Sequence, residues 1–169
     1  MPNVEELNSL KREDFTDCLA PVFEHSEWIA ARAANKRPFA DRAELYAALC
    51  ETVMKASDGE KIALICAHPD LVGRAALTRE SESEQAAAGL ENLSPDEIAR
   101  FLEYNSRYRE RFGFPFVICA RLNKKDAILD AFPIRLQHSR EQEIETALRL
   151  GEKTNFAEVN EARKTLATL

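Results

Sequence analysis

One helix signal near the middle of the chain most limits the folds that are open to it. Ser94 can cap a helix, Pro95 suits the first helical position and Glu97 the third, so a helix is predicted to begin here. Apolar and aromatic residues recur after it at intervals of three and four, and Gly113 suits the left-handed residue that follows a helix. The predicted inward-facing stripe comprises Ile98, Phe101, Leu102, Asn105, Tyr108 and Phe112.

Similar signals occur along most of the chain. Asp41 and Glu44 form a capping pattern ahead of a helix that Ser57-Asp58-Gly59 is predicted to end. Further helices are predicted over residues 126–136 and 141–166. Because the chain has only five glycines and many strong helix formers, we predict an all-α fold. A further amphipathic stripe near the N-terminus contains Phe15, Cys18, Leu19, Val22 and Phe23.

Residues 114–120 depart from the helical pattern. They are apolar and include Pro115, which indicates either a lone buried extended segment or the start of a helix. A sheet needs partner strands, and the rest of the sequence offers none. With no repeat and no linker-like stretch, residues 1–169 are predicted to form one domain, a bundle of about seven to nine helices.

Charge and cysteine usage restrict the partners and the compartment. The formal net charge is −6 and no Lys/Arg stripe is concentrated, which argues against nucleic acid or a membrane as a partner. The four cysteines show neither a C-x-x-C pair nor zinc-ligand spacing, so we expect no metal site and a reducing compartment. With no signal peptide and no apolar run of transmembrane length, a cytoplasmic location is predicted.

Three short clusters contain residues suited to chemistry. His68 precedes Pro69, which disfavours helical geometry at His68 and places it at a helix end. Ser81 and Glu84 have capping-box spacing, and residues 112–116 are rich in phenylalanine. Taken singly, each cluster has a structural explanation: a polar helix end, a helix cap and an aromatic core.

Together and in this order, the clusters resemble the family of 2-oxo-4-hydroxy-4-carboxy-5-ureidoimidazoline (OHCU) decarboxylases, the last enzymes of the route from urate to allantoin. The resemblance rests on residues 68–73 and 81–90, and on Asn105 and Tyr108 with residues 112–116. It extends over roughly residues 12–150 and includes Trp28, Ile29, Arg32, Ile128, Leu129, Phe132, Arg135 and Leu136.

The resemblance implies an all-helical homodimeric carboxy-lyase that uses no metal or organic cofactor. It implies that His68 is the catalytic histidine and Glu84 its acidic partner. An imidazole titrates near neutral pH and can move the proton that such a reaction requires. The residues expected to contact the small ureidoimidazoline substrate are Pro69, Ser81 and Gln85, together with the backbone of Phe116, Val117, Ile118, Cys119 and Ala120.

One position departs from the family pattern. Glu158 stands where the family's last helix usually carries an arginine that reaches the ligand, and a carboxylate cannot pair with a substrate carboxylate as arginine does. Two alternatives therefore stay open beside OHCU decarboxylation. The first alternative is a helical binding or regulatory protein that keeps the fold without turnover. The second is a lyase for a different ureido acid.

Overall fold

A computed structural model of the chain describes residues 3–23, 26–72, 85, 86 and 88–151. These segments contain α-helices and short 3-10 helices, and no β-strand occurs within them. The predicted all-α class is therefore confirmed. No helix in these segments combines the length and the apolar character needed to cross a membrane.

The described residues form two compact units, one ending at Ala67 and the other beginning at His68. The prediction that residues 1–169 make up a single domain stays a prediction. The first unit contains five α-helices: α1 (Val4–Ser9), α2 (Arg12–Leu19), α3 (Glu27–Ala33), α4 (Arg42–Met54) and α5 (Asp58–Ala67).

The first unit encloses an apolar core. Arg37 contacts this core through its guanidinium group. Nη1 donates to the Leu10 carbonyl at 2.6 Å, and the guanidinium carbon lies 4.8 Å from the centre of the Phe15 ring. The stripe predicted near the N-terminus contributes to this core, although Cys18 is only half-buried. Fully buried side chains include Leu7, Phe15, Leu19, Ile29 and Leu49.

The start of α4 agrees with the prediction, whereas its end does not. The Asp41 side chain accepts a hydrogen bond from the Glu44 backbone N–H at 2.9 Å. The stretch Ser57-Asp58-Gly59, predicted to end this helix, instead begins α5. The Ser57 backbone N–H donates to the Glu60 carboxylate at 2.9 Å, and the Glu60 N–H donates back to the Ser57 hydroxyl at 3.4 Å. This reciprocal cap outweighs the low helix propensity of Gly59.

The second unit is built around α6 (Pro95–Phe112), α7 (Lys125–Arg135) and a helix that we call α8, whose described part spans residues 140–151. A 3-10 turn covers Ala120–Leu122. Residues 115–119, which precede it, belong to no helix or strand, and Cys119 has extended backbone angles, so this stretch is not the start of a helix.

Both ends of α6 lie where the sequence predicts them. The Ser94 N–H donates to Glu97 at 2.7 Å, and the Glu97 N–H donates to the Ser94 hydroxyl at 3.3 Å. Hydrogen bonds from Lys125 and from the Ser94 backbone lower the pKa of Glu97 to about 2. Lys125 is the first residue of α7, so this ion pair ties the starts of the two helices together. At the other end Gly113 has a φ of 82°, which glycine adopts without the strain that a Cβ brings.

An aromatic cluster forms the core of the second unit. Tyr108 lies at its centre, with ring centroids of Phe112 and Phe116 at 4.6 and 5.2 Å, and Phe132 stacks on Phe116 at 3.9 Å. The predicted inward stripe of α6 is therefore confirmed for Phe101, Asn105, Tyr108 and Phe112, which are buried. It is wrong for Ile98 and Leu102, which are 39% and 45% exposed.

Candidate active site

The loop after α5 places His68 and Pro69 in the second unit. Two side chains on α6 hold this loop: Asn105 donates to the Leu71 carbonyl at 2.7 Å, and Arg109 Nε lies 3.0 and 2.9 Å from the two carboxylate oxygens of Asp70. Asn105 is buried and about one helical turn from Arg109, so a single helix face fixes the loop on which His68 stands.

Val72 closes this loop in a strained conformation. Its φ is 59°, a left-handed value that a β-branched residue rarely adopts and that costs about 1–2 kcal/mol. The Val72 N–H donates to the Gln85 side-chain oxygen at 3.2 Å. This bond fixes the orientation of the Gln85 carboxamide, because the oxygen is the acceptor and the NH2 group is left to act as a donor.

An extended stretch of backbone lies opposite the loop. Phe116 and Val117 are buried, whereas Ile118 is half-buried. Arg135 Nη1 donates to the Val117 carbonyl at 2.6 Å, and the Asn123 side chain donates to the Cys119 carbonyl at 2.8 Å. The stretch belongs to no helix or sheet, so these side-chain hydrogen bonds hold its backbone in position.

The loop and the extended stretch enclose a cleft of about 380 Å³, counting the part that is open to solvent. Among the described residues that line it, the polar groups are the His68 imidazole, the Gln85 carboxamide and the backbone, and the other side chains are apolar. The described residues that line it are His68, Pro69, Leu71, Gln85, Phe116, Val117, Ile118 and Ala120.

Gly151, the last described residue of α8, also lies close to His68. A Cβ atom placed on Gly151 would lie 3.7 Å from His68 Nε2 and 3.9 Å from Cε1, which is ordinary van der Waals contact. Alanine at position 151 would therefore place a methyl group beside this nitrogen.

A buried ionic cluster lies behind the extended stretch. Arg135 is 6% exposed and donates from Nε and Nη2 to one oxygen of the fully buried Glu143, at 2.9 and 2.7 Å. The Tyr108 hydroxyl donates to the same oxygen, and His138 Nδ1 lies 2.5 Å from the other. Burial raises the pKa of Tyr108 well above its usual value, so its hydroxyl stays protonated.

The structure brings most of the predicted site residues together. The predicted residues at the cleft are His68, Pro69, Gln85, Phe116, Val117, Ile118 and Ala120. Cys119 is fully buried and does not line it. Ser81, Glu84 and Glu158 lie outside the described residues, so their predicted roles stay predictions. In the described segments, no three His, Cys, Asp or Glu side chains are close enough together to hold a metal ion.

Sequence reasoning missed two features of this region. Leu71 lines the cleft, and its apolar character beside Pro69 was the available signal. The ionic cluster of Arg135 and Glu143 was missed as well. Its signal was a glutamate that lies four residues before the buried Ala147 and so shares a helix face with it.

The chain is similar to known proteins over most of its length. The family described as OHCU decarboxylase matches residues 8–161. A protein of Halalkalicoccus jeotgali named 2-oxo-4-hydroxy-4-carboxy-5-ureidoimidazoline decarboxylase is 40% identical over 145 residues, which are 86% of this chain and 82% of that protein. A protein of Haloferax volcanii with the same name is 41% identical over 145 residues, which are 86% of each chain.

A solved structure shares the fold. The crystal structure of an (S)-allantoin synthase superposes with a TM-score of 0.77 at 29% identity, and the match covers 95% of this chain. It covers 54% of the other chain, so this protein spans about half the length of that one. The sequence match over most of the chain shows that the protein belongs to the OHCU decarboxylase family.

Proposed function

We propose that the protein is a carboxy-lyase that converts OHCU into (S)-allantoin and carbon dioxide in urate degradation, with no added cofactor. The observation that carries this proposal is one cleft at which a histidine, a carboxamide and a fixed stretch of backbone converge. Family membership and the names of the relatives support the choice of substrate.

The proposed substrate provides its own electron sink. Its carboxylate and hydroxyl share one ring carbon, and a C=N bond lies next to that carbon. When the bond to the carboxylate breaks, its electron pair forms a C=C bond in the ring, and the former C=N pair moves to nitrogen, which takes up a proton. The hydroxyl then loses its proton to become a carbonyl, while the neighbouring carbon is protonated on one face. The protein therefore has to orient the substrate, stabilise the intermediate and deliver a proton.

The described residues suit these tasks. His68 stands at the cleft, and an imidazole can deliver the proton to one face of the ring. The Gln85 NH2 group is a donor suited to a ureido or ring oxygen, because its oxygen is already bonded to the Val72 N–H. Backbone N–H groups of the extended stretch are suited to a ring oxygen on which charge develops.

Two further roles come from the sequence. We propose that Glu84 orients the His68 imidazole and stabilises its charged form, as carboxylates do for catalytic histidines. Ser81 is proposed to bind the substrate together with Gln85, since residues four apart on a helix share a face.

Circular dichroism of the product stream tests the function. Urate is passed through a urate oxidase and a hydroxyisourate hydrolase, with and without the protein. We expect a fast rise of one optical signal, since protonation on one face gives a single allantoin enantiomer. Heat-inactivated protein is the control.

A slow and optically silent conversion equal to the blank would overturn the proposed function. Allantoin binding without turnover, seen as a rise in Tm, would then favour the helical binding or regulatory protein. No binding would favour a lyase for a different ureido acid, which Glu158 motivates.

We also propose that the protein is a homodimer. Ile98 and Leu102 are exposed one turn apart on α6, which suits contact with a second copy. Light scattering is expected to give twice the chain mass, and the double variant Ile98→Glu, Leu102→Glu is expected to give the monomer mass with unchanged far-ultraviolet circular dichroism. Met54→Glu, at an exposed apolar position in the other unit, is the matched control. A monomer mass for the wild-type protein would contradict the proposal.

A cytoplasmic location is proposed from the cysteines. Cys18, Cys50, Cys66 and Cys119 are scattered along the chain without a C-x-x-C pair, which suits a reducing compartment. Cell fractionation checks this location, and recovery outside the cytoplasmic fraction would contradict it.

A further inference from the structure

Arg135 connects the buried ionic cluster to the extended stretch of residues 115–119, which forms one wall of the cleft and is called the wall below. Three of its nitrogens donate hydrogen bonds: Nε and Nη2 to Glu143, Nη2 also to Tyr108, and Nη1 to the Val117 carbonyl at 2.6 Å. The first two partners lie in the interior of the unit, whereas Val117 lines the cleft. One planar guanidinium therefore fixes the wall relative to the core.

A second contact strengthens this attachment. The Arg135 guanidinium carbon lies 4.2 Å from the centre of the Phe116 ring, which is a stacking distance. Phe116 precedes Val117 in the wall, and Phe132 covers Phe116 at 3.9 Å between ring centroids. The stretch belongs to no helix or strand, so these side-chain contacts hold its backbone in position, as hydrogen bonds between strands do in a sheet.

The bond to the Val117 carbonyl determines the direction of the next amide. The peptide bond between Val117 and Ile118 is trans and planar, so the carbonyl and the Ile118 N–H point in opposite directions. The carbonyl points to Arg135 in the interior, and the N–H therefore points away from Arg135, while both Val117 and Ile118 line the cleft. Among the residues that the structure describes, none accepts a hydrogen bond from this N–H.

We propose that Arg135 is a positioning residue that fixes the Ile118 N–H as a donor to the substrate. The acceptor is the ring carbonyl oxygen conjugated with the imine nitrogen, where the electron pair collects as carbon dioxide leaves. This inference rests on the proposed function. A charged donor on the carbonyl also polarises the peptide, which makes the N–H of the same peptide a better donor.

A direct role for Arg135 in binding the substrate carboxylate does not fit the structure. Arg135 is 6% exposed, and the residues that line the cleft do not include it. Its charge faces the Glu143 carboxylate at 2.7 Å, so it does not replace the arginine expected at position 158.

The test combines kinetics with an NMR signal from Ile118. Arg135→Lys keeps the charge but cannot reach Glu143 and Val117 at once, since lysine lacks the planar fork. We expect kcat to fall by at least about tenfold with KM changed by less than about threefold, because the donor acts on charge that develops in the transition state.

In protein labelled with 15N-isoleucine, allantoin is expected to shift the Ile118 amide peak of the wild type. In Arg135→Lys that peak is displaced before ligand is added and its response to allantoin is smaller.

Two variants serve as controls. Arg140 makes the same kinds of contact away from the cleft, since Nε donates to the Phe112 carbonyl at 3.2 Å and the guanidinium carbon lies 5.7 Å from the Phe114 ring centre. Arg140→Lys is expected to leave kcat and the Ile118 peak unchanged. Leu129 is buried on the same helix as Arg135 and does not line the cleft, so Leu129→Ala separates loss of stability from loss of positioning.

The possible outcomes are distinct. A folded Arg135→Lys variant with wild-type kcat, or an Ile118 peak that allantoin does not shift in the wild type, overturns the inference. If Arg135→Lys does not fold, the apolar triple variant Tyr108→Phe, Arg135→Met, Glu143→Leu replaces it, with the same expected loss of kcat. Absence of turnover in the wild type contradicts the proposed function instead. The displacement of the Ile118 peak in ligand-free Arg135→Lys then still decides whether Arg135 positions this peptide.

Discussion

Replacing His68 with asparagine is expected to lower turnover by about 100- to 10,000-fold while Tm stays close to that of the wild type. His68 is half-buried at the cleft, and asparagine keeps a polar side chain of smaller volume there. Asparagine has no group that exchanges a proton near neutral pH, so the protonation step loses its catalyst. Turnover is measured by circular dichroism of the product and Tm by thermal melting.

Binding of allantoin is the control for this variant. The cleft should still bind the product, because Gln85 and the extended stretch are unchanged, and an allantoin-induced rise in Tm should remain. Near-normal turnover would rule out His68 as the proton donor, and a large fall in Tm would assign it a structural role. Glu84→Gln is the companion variant, expected to lower kcat more than it weakens allantoin binding. An unchanged kcat would leave Glu84 as a helix cap only.

The helices were predictable where their signals are local. Ser94 and Glu97 are three residues apart and form their reciprocal cap within the chain segment itself. The left-handed Gly113 likewise ends α6 without help from distant residues. The same reasoning failed at Ser57-Asp58-Gly59, because the glycine was taken as a helix end although Ser57 and Glu60 form a cap that starts α5.

The periodic pattern gave the face of α6 but not the extent of its burial. Phe101 and Tyr108 lie under neighbouring aromatic rings, whereas Ile98 and Leu102 on the same stripe are largely exposed. A hydrophobic period shows which side chains share a face, and only the tertiary structure shows whether another element covers them.

The site was predictable only in part, because its contacts join distant residues. On the sequence alone, His68 before Pro69 had an ordinary explanation as a helix end, and only the family resemblance linked it to residues 116–120. No local pattern links the members of the buried cluster, since Tyr108 and Glu143 are 35 residues apart and Arg135 and Val117 are 18 apart. From the sequence alone, charged residues at such positions are expected on the solvent-exposed face of a helix.

The buried cluster also predicts a large effect on stability. Glu143→Leu is expected to lower the free energy of unfolding by about 3–5 kcal/mol, because it leaves the charge of the buried Arg135 without its partner. For a chain of this size, that corresponds to a fall in Tm of roughly 6–20 °C. Glu145→Leu is the matched control on the same helix. Glu145 pairs with Arg149 on the surface, and loss of such a pair costs at most about 1 kcal/mol.

The apolar triple variant Tyr108→Phe, Arg135→Met, Glu143→Leu separates stability from activity. Replacing the buried members of an ionic cluster with apolar side chains is often neutral or stabilising, so most of the stability lost in Glu143→Leu should return, to within about 2 kcal/mol of the wild type. Urea unfolding of the three proteins measures this. If the triple variant is no more stable than Glu143→Leu, the cost does not come from an unpaired buried charge. If stability returns while turnover stays low, the cluster is retained for the direction of one peptide in the wall of the cleft rather than for the stability of the fold.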